Sequence, residues 1–592
     1  MQHWEQSSYE PFLPISEKSN PITNNIDIAG PEEIVQMLQI CDAEIFDRTS
    51  HEEATYQKLS SCSMVQTMVN ISKKVGMILK DPEESLIVLS GCGTSGRVAF
   101  LLATSFNRWL AALHQKQIYS YIIAGGDKAL LTSQEAPEDN PSLGALMLDK
   151  ASTGKKHVLF IGISCGLSAP FVAGQLNYCL NNLEVFTPVV IGFNPVNMAR
   201  TETMLDFPFH FKGIAERMSK MEEQGKAFVL NPVVGPEAIT GSSRMKGGSA
   251  TKVILDTVLL AGHEAVYSNS TITPGVILAS ISMKQKVQEM TYSQSDKLAA
   301  LIQRAGMSLR SNGHVYYFGW QTLGIIGIID ASECIPTFGA GFEDIRGFIN
   351  RGFSEINNKE GDLSSKGPQF IIDHKDFMKT VLPSVTDNDM VIFLFTVKDD
   401  LSEVTLLAER VRQNTTNLHA IIHDLEIHCV PERVQGMFMS VLNITWPSSF
   451  NMQCSVVMKQ HWELSTKLCL NAISTGAHIL KGKVYMNYMI DVRVTNSKLY
   501  RRAICILQKF TNCTQAQCET ALLRSVYDME ELTDEIRSAD VTKHTLRANQ
   551  MDRVVPTSVV MLHSGCTLAE AKFHLDAQPT IREAVAASLT IS

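Results

Sequence analysis

The sequence predicts an α/β protein with two parallel sheets in tandem, each covered by helices, and an all-helical C-terminal cap. Three observations carry this. Short β-rich runs at residues 86–89, 120–124, 158–161 and 189–193 alternate with longer helical stretches, the pattern of a parallel sheet wrapped by helices. A second pass of the same alternation starts near Gly313. The last hundred residues carry helix-start signals in place of strands.

Taken in order, residues 1–50 are polar and proline-containing, then amphipathic at 32–46, which reads as an arm and a helix lying on the body. Residues 51–295 hold the first α/β unit, 296–485 the second and 486–592 the helical lid. At 592 residues the chain exceeds one core, since domains average roughly 150 residues. The two units align. Placing Gly96 on Gly324 sets Leu-Ser-Gly-Cys-Gly-Thr-Ser-Gly beside Tyr-Phe-Gly-Trp-Gln-Thr-Leu-Gly, and Ala250-Thr-Lys-Val-Ile-Leu matches Ser465-Thr-Lys-Leu-Cys-Leu, in registers of 228 and 215 residues. A duplication is the economical explanation. In the lid, Thr514 with Gln517 and Thr567 with Glu570 form capping boxes that open short helices.

Composition narrows the function classes. Lys plus Arg number 52 against 61 Asp plus Glu, a net charge of −9 without like-charge runs, which argues against nucleic acid as a partner. Thirteen cysteines are scattered without C-x-x-C pairs or metal-ligand spacing, which fits reduced thiols and no metal. No signal sequence or membrane-length apolar run is read. The expectation is an intracellular protein with no membrane partner, without cofactor.

The chemistry concentrates in one loop. Residues 86–97 read Leu-Ile-Val-Leu-Ser-Gly-Cys-Gly-Thr-Ser-Gly-Arg, a strand entering a glycine and hydroxyl turn at the start of a helix. Gly93, Thr94, Ser95 and Gly96 make a phosphate-sized cradle of amides and hydroxyls. The spacing matches neither the dinucleotide nor the nucleoside-triphosphate glycine motif, which favours a sugar phosphate. A second loop, Gly162-Ile-Ser-Cys-Gly-Leu-Ser168, adds Ser164, Cys165, Gly166 and Ser168. In the second unit Trp320, Gln321 and Leu323 replace Cys92, Gly93 and Ser95, and Asp399 and Asp400 follow the strand at 390–395. Bulk and negative charge there predict a closed cradle. One working anion site per chain is expected.

These residues, with Ala124-Gly-Gly-Asp127 followed by Glu135 and Glu138-Asp139, Gly241-Ser-Ser-Arg-Met-Lys-Gly-Gly248, Asp330-Ala-Ser-Glu-Cys-Ile-Pro-Thr-Phe-Gly339 and Thr495-Asn-Ser-Lys-Leu499, give a chain that resembles the glucokinase regulatory protein family. That family is related to the bacterial N-acetylmuramic acid 6-phosphate etherases of the sugar-isomerase superfamily. The resemblance implies two tandem sugar-isomerase domains (flavodoxin-like, αβα sandwich) and a monomer with an internal pseudo-dimer. The etherase Asp-Ala-Ser-Glu is absent from the first unit, where Leu102-Ala-Thr-Ser105 stands, and survives as Asp330 to Glu333. If the units face each other as dimer subunits do, Glu138 and Glu333 meet at the single cradle.

By the same resemblance, Glu138 and Glu333 bond sugar hydroxyls, the serines including Ser243 hold phosphate, and Arg244 and Lys498 complement its charge. Cys92 and Cys165 stand where relatives carry glycine or an aliphatic residue and narrow the cradle. The implied role is inhibition of glucokinase, modulated by fructose 6-phosphate or fructose 1-phosphate, in cytoplasm and nucleus. The alternative is a sugar-phosphate lyase, etherase or isomerase using Glu138 and Glu333 as acid and base. Partner contacts are expected near Glu184 and Val185 and at Ser448, Ser449 and Phe450.

Overall fold

The structure is a computed structural model that describes residues 2–47, 55–134, 136–204, 207–450, 455–578 and 580–590. The expected 50/51 boundary and Glu135 lie outside the described residues.

The central strands are largely apolar because both faces of each sheet are covered there, as parallel sheets require. The first sheet contains β1 (Ser85–Gly91), β2 (Tyr119–Ile123), β3 (His157–Ile163), β4 (Phe186–Ile191) and β5 (Phe228–Leu230), in the order β2-β1-β3-β4-β5. The second contains β6 (Val315–Gly319), β7 (Ile345–Ile349), β8 (Met390–Thr396), β9 (Leu418–Leu425) and β10 (Ser440–Trp446), in the order β10-β9-β8-β6-β7. Read from the other edge, the second order is the first one repeated. Every neighbouring pair is parallel.

This order places the site. Chain direction across the sheet reverses between β1 and β3, so the loops leaving their C-terminal ends part and open a crevice. Gly91 and Ile163, the last residues of β1 and β3, are register partners. Both predicted loops therefore emerge side by side.

The units pack through long helices, with Pro274–Tyr292 and Lys246–Tyr267 against Ser455–Leu480 and Gly93–Ala112 against Gln321–Phe338. Charged groups are buried in this seam. Lys252 pairs with Asp256 at 3.0 Å and with Glu463 of the other unit at 2.7 Å. Such groups are tolerated in an interior only when paired and hydrogen-bonded.

The arm is bound from both sides. Trp4 and Ile15 are buried, Trp4 Nε1 donates to Glu44 at 3.0 Å, and Lys246 Nζ bonds Glu44. The arm also grips the lid, with Glu17 taking Arg502 at 2.7 Å and Asp27 taking Arg582 at 2.7 Å. The lid is helical from Ser497 onward, and both capping boxes are formed: Thr514 N donates to Gln517 at 2.9 Å and Thr567 N to Glu570 at 2.8 Å. Among the described residues no helix is long and apolar enough to cross a membrane.

Candidate functional site

The β1 turn is built by close approach. A Cβ on Gly91 would lie 2.6 Å from the Ser95 Cβ, and one on Gly96 would lie 2.5 Å from Ile123. Gly93 has φ of 49°, where a residue with a side chain is strained. The helix Gly93–Ala112 starts there, so its first amides, with Thr94 and Ser95, face the crevice.

Around this turn lies one cavity. Of the predicted ligand residues, Gly93, Thr94, Ser95, Glu138, Ser164, Cys165, Gly166, Ser168, Ser243, Arg244, Glu333 and Lys498 all line it. Gly96 does not; lacking a side chain, it lets β1 and β2 close behind the turn. Glu333 arrives from the second unit on the helix Gln321–Phe338. It receives a hydrogen bond from the Thr94 side chain and lies 3.9 Å from Arg97. Its Oε1 has no hydrogen-bond partner among the described residues, and burial raises its pKa against the pull of Arg97, Lys467 and Arg244. Lys498 arrives from the lid and sits 3.3 Å from Glu138.

Three predicted roles change in detail. Arg244 is expected to complement the ligand's charge, but its guanidinium bonds Asp330 at 3.0 Å, Ser474 at 3.1 Å and Thr475 at 2.6 Å. Only Nε is left without a hydrogen-bond partner among the described residues. It clamps one unit to the other at the cavity floor. The Ser164 hydroxyl accepts from the Ser168 and Ala169 amides at 3.0 and 3.2 Å, so it shapes its own turn and retains its proton for donation. Cys165 lies 3.7 Å from the Ser95 hydroxyl, and burial pushes its thiol up to about 11, which keeps it neutral and unreactive.

Sequence reasoning missed Glu237, Ser16, Glu17 and Arg502, all of which line the cavity. Glu237 accepts from the Lys246 and Gly247 amides, both at 2.8 Å, and so caps the helix Lys246–Tyr267. Burial pushes its carboxyl up to about 7, opposed by Lys246 and those amides. Its signal is a lone acid in the apolar run 233–239, where a carboxyl needs partners. Ser16 exchanges hydrogen bonds with Asn194 at 2.9 and 3.0 Å; the arm residues carry no local motif.

The second unit keeps the turn and changes its side chains. Gln321 has φ of 49°, the value at Gly93, and Gly319 meets Gly324 as Gly91 meets Ser95 and Gly96. Trp320, 2% exposed, packs against Phe318, His374 and Phe393 and donates to Glu403 at 2.9 Å. Gln321 donates to Asp399 at 2.7 Å, and Asp400 caps the next helix.

Of the partner residues, Glu184, Ser448 and Ser449 are exposed and Val185 is half-buried. Phe450 is only 5% exposed, packed edge-on to Trp446 and His461. Its ring belongs to the core and offers little docking surface. No cluster of metal-ligating side chains occurs among the described residues.

Two parallel-sheet units, one open cradle and a helical lid define a tandem sugar-isomerase protein. The descriptions "Glucokinase regulatory protein N-terminal SIS domain", "Glucokinase regulatory protein, second SIS domain" and "C-terminal lid domain of glucokinase regulatory protein" match residues 70–180, 292–481 and 486–585. Glucokinase regulatory protein from Xenopus laevis is 46% identical over 589 residues, covering 99% of this chain and 95% of that protein. The Homo sapiens protein is 46% identical over 587 residues, covering 99% and 94%. N-acetylmuramic acid 6-phosphate etherase from Synechocystis is 32% identical over 240 residues, 39% of this chain and 70% of that enzyme. The chain belongs to the glucokinase regulatory protein family, and its role is regulatory.

Proposed function

We propose that this protein binds and inhibits glucokinase, and that a fructose phosphate held in the Gly93–Ser95 cavity modulates the inhibition. The observation that supports this reading is the origin of the cavity wall: Thr94 and Ser95 come from the first unit, Glu333 from the second, Lys498 from the lid and Ser16 from the arm. A ligand touching all four stabilises one arrangement of them over others, and a differential contact of this kind is what changes affinity for a partner. The hydroxyls and amides at 93–95 and 164–168 suit a phosphate, while Glu138 and Glu333 suit sugar hydroxyls. Fructose 6-phosphate and fructose 1-phosphate are the ligands proposed, with no cofactor. The reading includes a cytoplasmic and nuclear location and a monomeric chain.

The test is glucokinase inhibition with and without each fructose phosphate, in the wild type and in Ser95→Trp. Expected is a ligand response in the wild type, at least 100-fold weaker in a variant whose circular dichroism is unchanged. An undiminished response in that variant overturns this pocket.

A lyase or isomerase reading draws on Glu138 and Glu333 lining one cavity, with Glu333 pushed toward its protonated form as a general acid requires. A turnover assay with N-acetylmuramic acid 6-phosphate and fructose 6-phosphate separates the classes. Regulation without chemistry gives no turnover in parallel with a ligand-dependent inhibition.

A further inference from the structure

A second cavity, of about 1210 Å³, lies between the first unit, the second unit and the lid. It backs onto the first. Glu138 and Lys498 face the sugar-phosphate cradle, while their chain neighbours Asp139 and Ser497 line the second cavity, and Pro336 lines both. Ser497 closes the partition by donating its amide and hydroxyl to Asp139 at 3.1 and 2.8 Å.

The electrostatics of this cavity favour an anion. The first residues of four helices line it: Pro141–Ser152, Pro170–Leu180, Ser497–Thr511 and Val541–Ala548. Each helix brings the positive end of its dipole. Three arginines join them, Arg200 from the first unit and Arg493 and Arg501 from the lid segment. The two aspartates in the wall are engaged, Asp139 with Ser497 and Asp540 as the cap of the helix Val541–Ala548. Arg200 donates to the Ser168 carbonyl at 3.2 Å, and the carboxylates paired with the three arginines face water. Arg200 and Arg501 share Glu202 at 3.2 and 3.7 Å, and Arg493 meets Asp552 at 3.5 Å, with Glu202 54% and Asp552 82% exposed. Ion pairs of this sort contribute little. Arg493 Nε and Thr495 Oγ1 have no hydrogen-bond partner among the described residues.

We propose that this cavity is a second ligand site, taking a small molecule with two phosphate groups, gripped by Arg200 on the first unit and by Arg493 and Arg501 on the lid side. Guanidinium groups recognise phosphate through paired donors, and the volume accommodates a metabolite of that size. Because the partition is shared, occupancy of this site changes the affinity of the cradle next to it.

The probe is pyrophosphate, titrated calorimetrically into the full chain, into Ser95→Trp and into Arg493→Gln/Arg501→Gln. Expected is one binding event that survives Ser95→Trp and weakens at least tenfold in the double arginine variant. Hydrogen exchange on the wild type guards against a variant that fails to fold: pyrophosphate should slow the amides at 493–501 and 540–545. No binding, binding abolished by Ser95→Trp, or unaltered exchange in those segments overturns the proposal. Survival of binding in Ser95→Trp also separates this site from the fructose phosphate reading, which fails or stands on the first cavity alone.

Discussion

The turns after β1 and β6 share one backbone and differ in what fills it. Cys92 has φ and ψ of −111° and 150°, Trp320 −111° and 144°, and Gly93 and Gln321 share a φ of 49°. At Gly93 the absent side chain leaves an anion-sized hollow. At Gln321 the left-handed residue bonds Asp399 through its side chain, and the neighbouring Trp320 bonds Glu403. The two turns thus share a conformation and differ in their side chains, and the first opens onto the cavity described above. The units also exchange groups unequally. Glu333 reaches the first turn, whereas Ser105, its counterpart, bonds Glu463 at 3.3 Å.

The most disruptive way to test this asymmetry is Arg244→Met. It leaves Asp330 buried without its cation, and an uncompensated buried charge costs about 3–5 kcal/mol. A urea midpoint measures the loss; an unshifted midpoint would show that the clamp is dispensable. Trp320→Cys, which gives the second turn the residue of the first, should destabilise by about 3 kcal/mol through lost packing. It should create no anion site, since Asp399 and Gln321 stay in place. Calorimetry with fructose 6-phosphate in the Ser95→Trp background checks this, and recovered binding would break the comparison.

Glu333→Gln sharpens it from the other side. Losing a charged hydrogen-bond partner for the ligand should weaken fructose phosphate by about 1.5–3 kcal/mol, read as a shift in the inhibition curve. The subtlest readout is a slope. The Glu237 carboxyl is raised from the ordinary 4.5 to about 7 in the folded chain, so the native state holds a proton that the unfolded chain has released. Its contribution to stability is full below pH 4.5 and is lost as pH rises toward 7. Glu237→Gln should flatten that decline, checked by urea unfolding at pH 5 and pH 7.

Much of this was legible in the chain because it is written locally. The glycine turns, strand runs and capping boxes depend on neighbours within a few residues, and the duplicated motifs gave the tandem sheets. Glu333 was placed at the first cradle through family resemblance, since no local pattern points from the second unit to the first. What escaped depends on distant packing. Arg244 reads as a free cation until Asp330 is seen beside it, Phe450 as a surface residue until Trp446 and His461 enclose it, and Ser16 has no motif at all.

The pairing of the arm with the lid has a consequence for biogenesis. Glu17 bonds Arg502 across 485 positions and Asp27 bonds Arg582 across 555. A chain emerging from the ribosome N-terminus first therefore holds Glu17 and Asp27 unlatched until Arg502 and Arg582 have been made. The first sheet can form early, since its strands are near one another in sequence, but the cradle acquires its final wall only once the segment carrying Lys498 and Arg502 has been made. Products of premature termination would carry the glycine turn yet never complete the chamber around it.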